Sequence, residues 1–200
     1  IREVRQVLEP GEGRLPFGIH LMIGKNYTTF LADTTVNERP SAQDLAVIAK
    51  ETAAVARRLG HTPRVAFLSY STFGNPPGRW LEPIREAVAI LDAENPGFEY
   101  EGELAPDAAL NPTVMANYPF CRLSAPANVL IMPGLQSANI SAKLLRELGG
   151  NATIGPMLLG MAAVIVVHAF YVTLVRPNAT AVLAAQAEAM RSDPDYVPQR

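Results

Sequence analysis

Short apolar runs and polar breaks alternate along this chain, and their spacing separates strands from helices. Phe17 to Ile23 and Thr28 to Ala32 are two such runs around Gly24-Lys25-Asn26, which predicts a β-hairpin. A polar loop, Asp33 to Asn37, follows. Pro40-Ser41 then opens a helix, with Ser41 and Asp44 spaced as a capping box. Leu45, Ile48, Val55 and Leu59 share one face of it, and Gly60 ends it. Arg64 to Ser69 reads as a buried strand, and Ser71 to Gly78 as a loop rich in glycine and proline. Trp80, Ile84, Val88 and Leu91 form the next helical stripe. From Phe98 to Leu104 the pattern alternates, with Glu99, Glu101 and Glu103 on one side, which predicts a strand with one wet face. Pro106-Asp107 precedes a short helix. Asn128 to Met132 is a buried strand that breaks at Pro133-Gly134 and feeds a helix closing on Gly149-Gly150.

Strand and helix patterns in turn imply a three-layer α/β/α domain. Its sheet should be mostly parallel with one antiparallel hairpin. In such sheets ligands bind beyond the carboxyl ends of strands, where a strand hands over to a helix. Met157 to Val175 carries no charged residue and is nominally long enough to span a bilayer. The β-branched Val164-Ile165-Val166-Val167 and the central His168 favour a buried strand with an adjoining helix, so no membrane association is expected. The chain starts at Ile1, and Ile1, Val4 and Leu8 keep helical spacing up to Pro10-Gly11. A fragment of a longer polypeptide is the expectation. The tail from Ser192 is polar.

Charge narrows the function. Seventeen basic and nineteen acidic residues give a net charge of -2, which offers no electrostatic case for nucleic acid or an anionic membrane surface. Cys121 is the single cysteine, so neither an intrachain disulfide nor a thiolate metal cluster can form, and a reduced, cytoplasmic setting fits. No P-loop and no Gly-x-Gly-x-x-Gly follows a strand.

Two groups of residues carry candidate chemistry. Ser69, Ser71 and Thr72 follow a buried strand and precede Gly74. Hydroxyls and free N–H groups there can hold a phosphate or an acyl-CoA, and they can equally make an ordinary serine-capped turn. Asn139, Ser141 and Lys143 are placed by the pattern at the start of the helix after Ile131, where a helix N-terminus favours anions. Ser137 or Asn139 serving as an N-cap is the alternative. Glu103 and Asp107 could form an acid–base pair, but Asp107 before Ala108-Ala109-Leu110 reads better as a helix cap. His20, His61 and His168 lack metal-ligand spacing, and Cys121 beside Arg122 reads as a packed thiol.

Four ordered blocks carry a family resemblance. They are Ala32-Asp-Thr-Thr-Val-Asn37 with Pro40-Ser-Ala42; Val65 to Gly74; Glu101 to Ala109; and Ala127 to Pro133 with Asn139-Ile140 and Gly155-Pro156. In this order the chain resembles the phosphate acetyl/butyryltransferase family across residues 15–161. Tyr118 to Ser124 and the phrase around Ser141 to Gly150 look most like the C-terminal phosphotransacetylase-like domain of large bacterial NADP-dependent malic enzymes. The resemblance implies an isocitrate/isopropylmalate dehydrogenase-like fold of two lobes. Residues 10–156 would make one lobe, and 1–9 with 157–200 would be remnants of the other. It also implies acetyl-CoA as ligand, bound through Ser69, Ser71, Thr72, Asn139, Ser141 and Lys143. No cofactor is expected in this piece; NADP and a divalent metal belong to malic enzyme domains of the same polypeptide. A homo-oligomer formed through this domain is expected too. The chain departs from the family at one place. The Ser-Arg-Gly segment that handles phosphate falls, counted without gaps, on Ala169, Phe170 and Tyr171. A hydroxyl and a guanidinium are thereby replaced by groups that cannot bind an oxyanion. The expectation is a domain inactive as a transferase that binds acetyl-CoA as a regulatory ligand. The alternatives are an active phosphate acetyltransferase and an oligomerisation module with an empty cleft.

Overall fold

β1 (Phe17–Ile23) and β2 (Thr28–Ala32) form the hairpin that the apolar runs predict, with Ile19 opposite Ala32 and Ile23 opposite Thr28. The structure is a computed structural model that describes residues 14–148 and 152–160, and the backbone of 165–166. Helix α1 (Ala42–Arg58) begins at the capping box read from sequence. The Ser41 hydroxyl accepts from the Asp44 N–H at 3.2 Å, and the Asp44 carboxylate accepts from the Ser41 N–H at 2.9 Å. Gly60 ends it with φ of 85°, a left-handed conformation that a side chain would strain. Its buried stripe is Leu45, Ile48, Ala49, Thr52, Ala53 and Ala56, while Leu59 faces water.

β3 (Arg64–Leu68) leads through a long loop and a 3₁₀ turn, Arg79–Leu81, into α2 (Glu82–Glu94). Ile84, Val88 and Leu91 are buried as expected, but Trp80 is 64% exposed. It lies in the 3₁₀ turn, outside the α-helical period, with the Arg79 guanidinium over its ring, and Leu81 takes the buried position instead. Next come β4 (Glu99–Leu104), the short helices α3 (Pro106–Leu110) and α4 (Pro112–Met115), and β5 (Val129–Ile131). Helix α5 (Leu135–Leu148), β6 (Ala152–Leu159) and β7 (Ile165–Val166) complete the described elements.

All strands share one sheet in the order β4-β3-β5-β2-β1-β6-β7. The β4-β3-β5-β2 half is parallel, whereas β2-β1, β1-β6 and β6-β7 are antiparallel. The sheet is therefore evenly mixed, not mostly parallel with one hairpin. The hairpin turns β1 against its neighbours, and β6, returning after α5 in the direction of β5, lands beside that reversed strand.

Period-two alternation divides the strand residues between two cores. Phe30, Val65, Phe67, Val129 and Ile131 pack with α1 and α2 on one face. Leu31, Ala66, Leu68, Leu130 and Met132 pack on the other, against Ala108 and Ala109 of α3 and Ala138 and Ala142 of α5. Three layers result, as the pattern implies, and each buried Phe or Leu contributes about 1.5–3 kcal/mol by leaving water. The apolar face of α1 is spent on its own sheet.

The wet face expected for β4 is not wet. Glu101 and Glu103 are 5% and 2% exposed. The loops after β3 and α4 cover them and supply the partners that a buried carboxylate needs. No helix of the described residues is long and apolar enough to cross a membrane. Residue 156, the lobe boundary expected from the resemblance, falls inside β6, and most of the second-lobe remnant, with Gly149-Gly150, His168 and Ala169 to Tyr171, lies outside the described residues.

Candidate functional site

The site begins with one buried carboxylate. Asp33 directly follows β2, is 2% exposed, and folds the following loop around itself. One oxygen accepts from the Gly18 and Thr35 N–H groups at 2.9 and 2.8 Å. The other accepts from the Asn37 N–H and side-chain amide, both at 2.7 Å. Asn37 also donates to the Pro16 carbonyl at 2.9 Å, tying the loop to the chain before β1. Gly18 must be glycine here, because a Cβ would run into the Thr35 hydroxyl. Thr34, 1% exposed, donates its hydroxyl to the Gly18 carbonyl at 3.2 Å and sits 2.7 Å from His20 Nδ1.

Helix α5 docks on this loop. The Leu135 N–H donates to the Asn37 carbonyl at 3.0 Å, and the Ser137 hydroxyl to the Gly134 carbonyl at 2.8 Å. Between loop, helix and the β1/β6 face lies a cleft of about 820 Å³. His20, Thr34 and Thr35 line it from the sheet side, and Asn139, Lys143 and Arg146 from the helix. Arg39 and Glu38 stand where the loop enters α1. Three cations against one carboxylate make the cleft basic in an acidic chain, and its volume lies within the range of small-ligand sites.

Of the residues read from sequence, Asn139 and Lys143 line this cleft, and Ser141 does not. Their placement at the helix start is corrected, because α5 begins at Leu135. Asn139 lies one turn in, with its amide 3.5 Å from the Thr34 carbonyl, and Lys143 lies two turns in. The free N–H groups of a first turn are thus not theirs, and Lys143 offers only its own charge. Ser137 lies inside the helix, so it is no N-cap either.

Ser69, Ser71 and Thr72 lie apart from the cleft, in the loop after β3. The Ser71 hydroxyl is buried and donates to Glu103 at 3.3 Å. Ser69 Oγ accepts from the Ser71 N–H at 3.3 Å, and Thr72 Oγ1 from the Ala105 N–H at 2.9 Å. Glu103 takes the remaining donors: the Gly74 N–H at 2.7 Å and Arg85 at 2.8 and 2.9 Å. A carboxylate of the chain itself fills the loop that resembled a phosphate cradle. Burial pushes the Glu103 carboxyl up, but the Arg85 and Gly74 hydrogen bonds, the Arg85 charge and the Ser71 hydroxyl outweigh it and hold the group below the usual carboxylate range. Glu103 and Asp107 do not pair. Asp107 is the second residue of α3 and accepts from the Ala108 N–H at 2.9 Å, while Ala105 occupies the cap position.

His61 is half-buried with its ring 5.5 Å from that of Phe30, edge to face, and burial lowers its pKa. Burial pushes the Cys121 thiol up, which agrees with a packed side chain. Among the described residues no group of three His, Cys, Asp or Glu could hold a metal ion. His20, Thr34, Thr35, Arg39 and Arg146 were not singled out as ligand residues by sequence reasoning. The signal lay in the Ala32 to Pro40 block, which follows a strand end as a ligand loop does.

Solved phosphotransacetylases share this layered α/β fold. The fold overlays a phosphotransacetylase from Streptococcus pyogenes with a TM-score of 0.74 and 34% identity, covering 82% of this chain and 51% of that one. EutD phosphotransacetylase from Staphylococcus aureus gives 0.72 and 31%, with 82% and 51% covered. The family model for phosphate acetyl/butaryl transferase matches residues 1–169, and the chain belongs to that family. Among curated relatives, an NADP-dependent malic enzyme of Rhizobium meliloti (strain 1021) is 50% identical over 161 residues, 80% of this chain and 21% of that protein. A phosphate acetyltransferase of Bacillus subtilis (strain 168) is 34% identical over 163 residues, 80% of this chain and 50% of that protein. The chain thus spans about a fifth of the malic enzymes and about half of the phosphate acetyltransferases it matches.

Proposed function

We propose that the chain is the phosphotransacetylase-like domain of an NADP-dependent malic enzyme, inactive as a transferase, and that it binds acetyl-CoA as a regulatory ligand. The observation that carries the malic enzyme part of this reading is 50% identity over 80% of the chain to an NADP-dependent malic enzyme, against 34% and 41% to two phosphate acetyltransferases. The basic cleft and the apolar residues at the family's Ser-Arg-Gly positions support it. Binding that differs between two states of the attached malic enzyme portion would shift their populations, and so the rate of malate oxidation. NADP and a divalent metal would be held by that portion, and nothing in this chain is asked to hold them. The reading includes a cytoplasmic setting and a homo-oligomer formed through this domain. The lobe read as residues 10–156 takes in the whole of β6, which pairs with β1 as far as Leu159, and the second lobe is proposed to draw on residues 1–9 and the chain beyond that sheet.

The test is calorimetric titration with acetyl-CoA of the polypeptide that carries this chain, with malate oxidation followed alongside. Heat of binding and a slower rate are expected; no heat together with an unchanged rate refutes the proposal. The second reading, an active acetyltransferase, is favoured by the 34% identity to the Bacillus subtilis protein. Acetyl phosphate formed from acetyl-CoA and phosphate above background would establish it.

A further inference from the structure

We infer that the exposed apolar flank of α5 is the surface by which this domain docks on the malic enzyme portion of its polypeptide, so that the helix lining the cleft also reports its occupancy. This rests on the malic enzyme reading above and adds the contact surface and its partner.

Ile140, Leu144 and Leu148 recur at every fourth residue of α5 and so form one stripe. They are 52%, 53% and 83% exposed, and Leu145 beside them is 45% exposed. The helical period puts Asn139, Lys143 and Arg146, which line the cleft, on the other flank. Ile140 stands at the boundary, because it heads the stripe and also lines the cleft. Single exposed apolar side chains are ordinary. Four on one short helix make a patch on the order of 400 Å², and patches of that size are often functional.

Size also decides between partners. Two copies meeting through this stripe alone would bury on the order of 800 Å² in total, against about 1,200–2,000 Å² in stable interfaces between separate chains. A partner within one polypeptide is held at an effective concentration of about millimolar, where so small a contact suffices. The chain spans 21% of the Rhizobium meliloti malic enzyme, so most of such a polypeptide lies outside it and can supply that partner.

Helix α5 is lightly seated as well. α1 buries Leu45 and Ile48, and α2 buries Ile84, Val88 and Leu91, but α5 buries only Ala138 and Ala142. Few buried apolar contacts mean a low cost of local displacement. A ligand that bonds Asn139 or Lys143 therefore acts on a helix whose far flank carries the stripe. A shift of that flank changes the fit of the docked portion, which is the differential contact that regulation requires.

The experiment uses the whole polypeptide that carries this chain, with acetyl-CoA as the probe. The double variant Leu144→Gln, Leu148→Gln removes apolar surface at exposed helical positions and touches no cleft residue, and a melting curve checks its fold. Calorimetry should still show acetyl-CoA binding to the variant. The slowing of malate oxidation at saturating acetyl-CoA should fall by about fivefold or more, the low end of ordinary coupling factors. A photoreactive benzophenone side chain placed at Leu148 should cross-link to peptides of the malic enzyme portion. Slowing as strong in the variant as in the wild type overturns the docking surface and leaves the regulatory reading standing. Cross-links to the same helix of a second copy overturn it too, because the stripe is then a subunit interface, and so do cross-links confined to this chain's own residues. Absence of acetyl-CoA binding to the wild type overturns the regulatory reading, and the cross-link then decides the docking surface by itself.

Discussion

Removing the charge of Glu103 should unfold the chain more easily without touching the cleft. The carboxylate is 2% exposed and accepts from Arg85, the Gly74 N–H and the Ser71 hydroxyl. Glu103→Gln keeps an acceptor for Gly74 but loses the charge, and its amide must face a guanidinium. Hydrogen bonds to a buried charged group contribute about 1.5–3 kcal/mol. The Arg85 guanidinium is half in water, so its share is screened and about 2 kcal/mol in total is the working figure. Glu103→Ala also strands the Gly74 N–H and the Ser71 hydroxyl, and about 3–4 kcal/mol is expected. For a chain of this size about 2 kcal/mol lowers the melting temperature by roughly 4–8 °C. The effect must also follow pH. Because the folded carboxyl titrates below its unfolded value, its contribution is complete above the unfolded value of about 4.3 and is lost as pH falls through the lower, folded value. Denaturant unfolding of wild type and Gln variant at pH 7 and at steps below pH 4 reads both quantities. A difference under about 0.5 kcal/mol at pH 7, the size of an ordinary surface substitution, would refute the reasoning. So would a difference that persists undiminished in acid.

Asp33→Ala should cost about 3 kcal/mol or more, since four backbone N–H groups lose a buried acceptor, and it should also weaken binding in the cleft. Denaturant unfolding and ligand titration together check this, and an unfolding midpoint like that of the wild type would count against it. His61 should titrate by NMR below the ordinary value of about 6.5, because burial disfavours its charged form. Its neutral form then stabilises the fold at neutral pH, a contribution lost as pH falls through the unfolded and then the folded value; a midpoint at or above the ordinary value contradicts that. The Cys121 thiol should react with a thiol reagent at pH 8 more slowly in the native chain than in the unfolded one, and equal rates would show that burial does not protect it.

Local physics was legible where a pattern depends on neighbours in sequence. The hairpin, the Ser41–Asp44 capping box and the stripe of α2 from Ile84 to Leu91 all follow from spacing. Even the division of strand residues between two cores follows from the period of two. Family membership was legible for a related reason, since four short blocks kept their order.

What the chain could not show along its length is which polar groups meet. An alternation of Glu99, Glu101 and Glu103 looks the same whether water or two loops cover it, and only the folded sheet brings Arg85 and Arg122 to those carboxylates. The serines after β3 have the chemistry of a phosphate loop, yet a residue 32 positions beyond Ser71 already occupies it. The cleft likewise draws on β1, the loop after β2, α5 and β6. Strand order sets its walls, and strand order depends on β6 returning beside a strand that the hairpin had reversed. Sequence determined the elements and the family because those rest on short-range periodicity and local motifs. Partners of buried charge and the walls of the cleft rest on contacts between distant residues, and tertiary structure alone decided them.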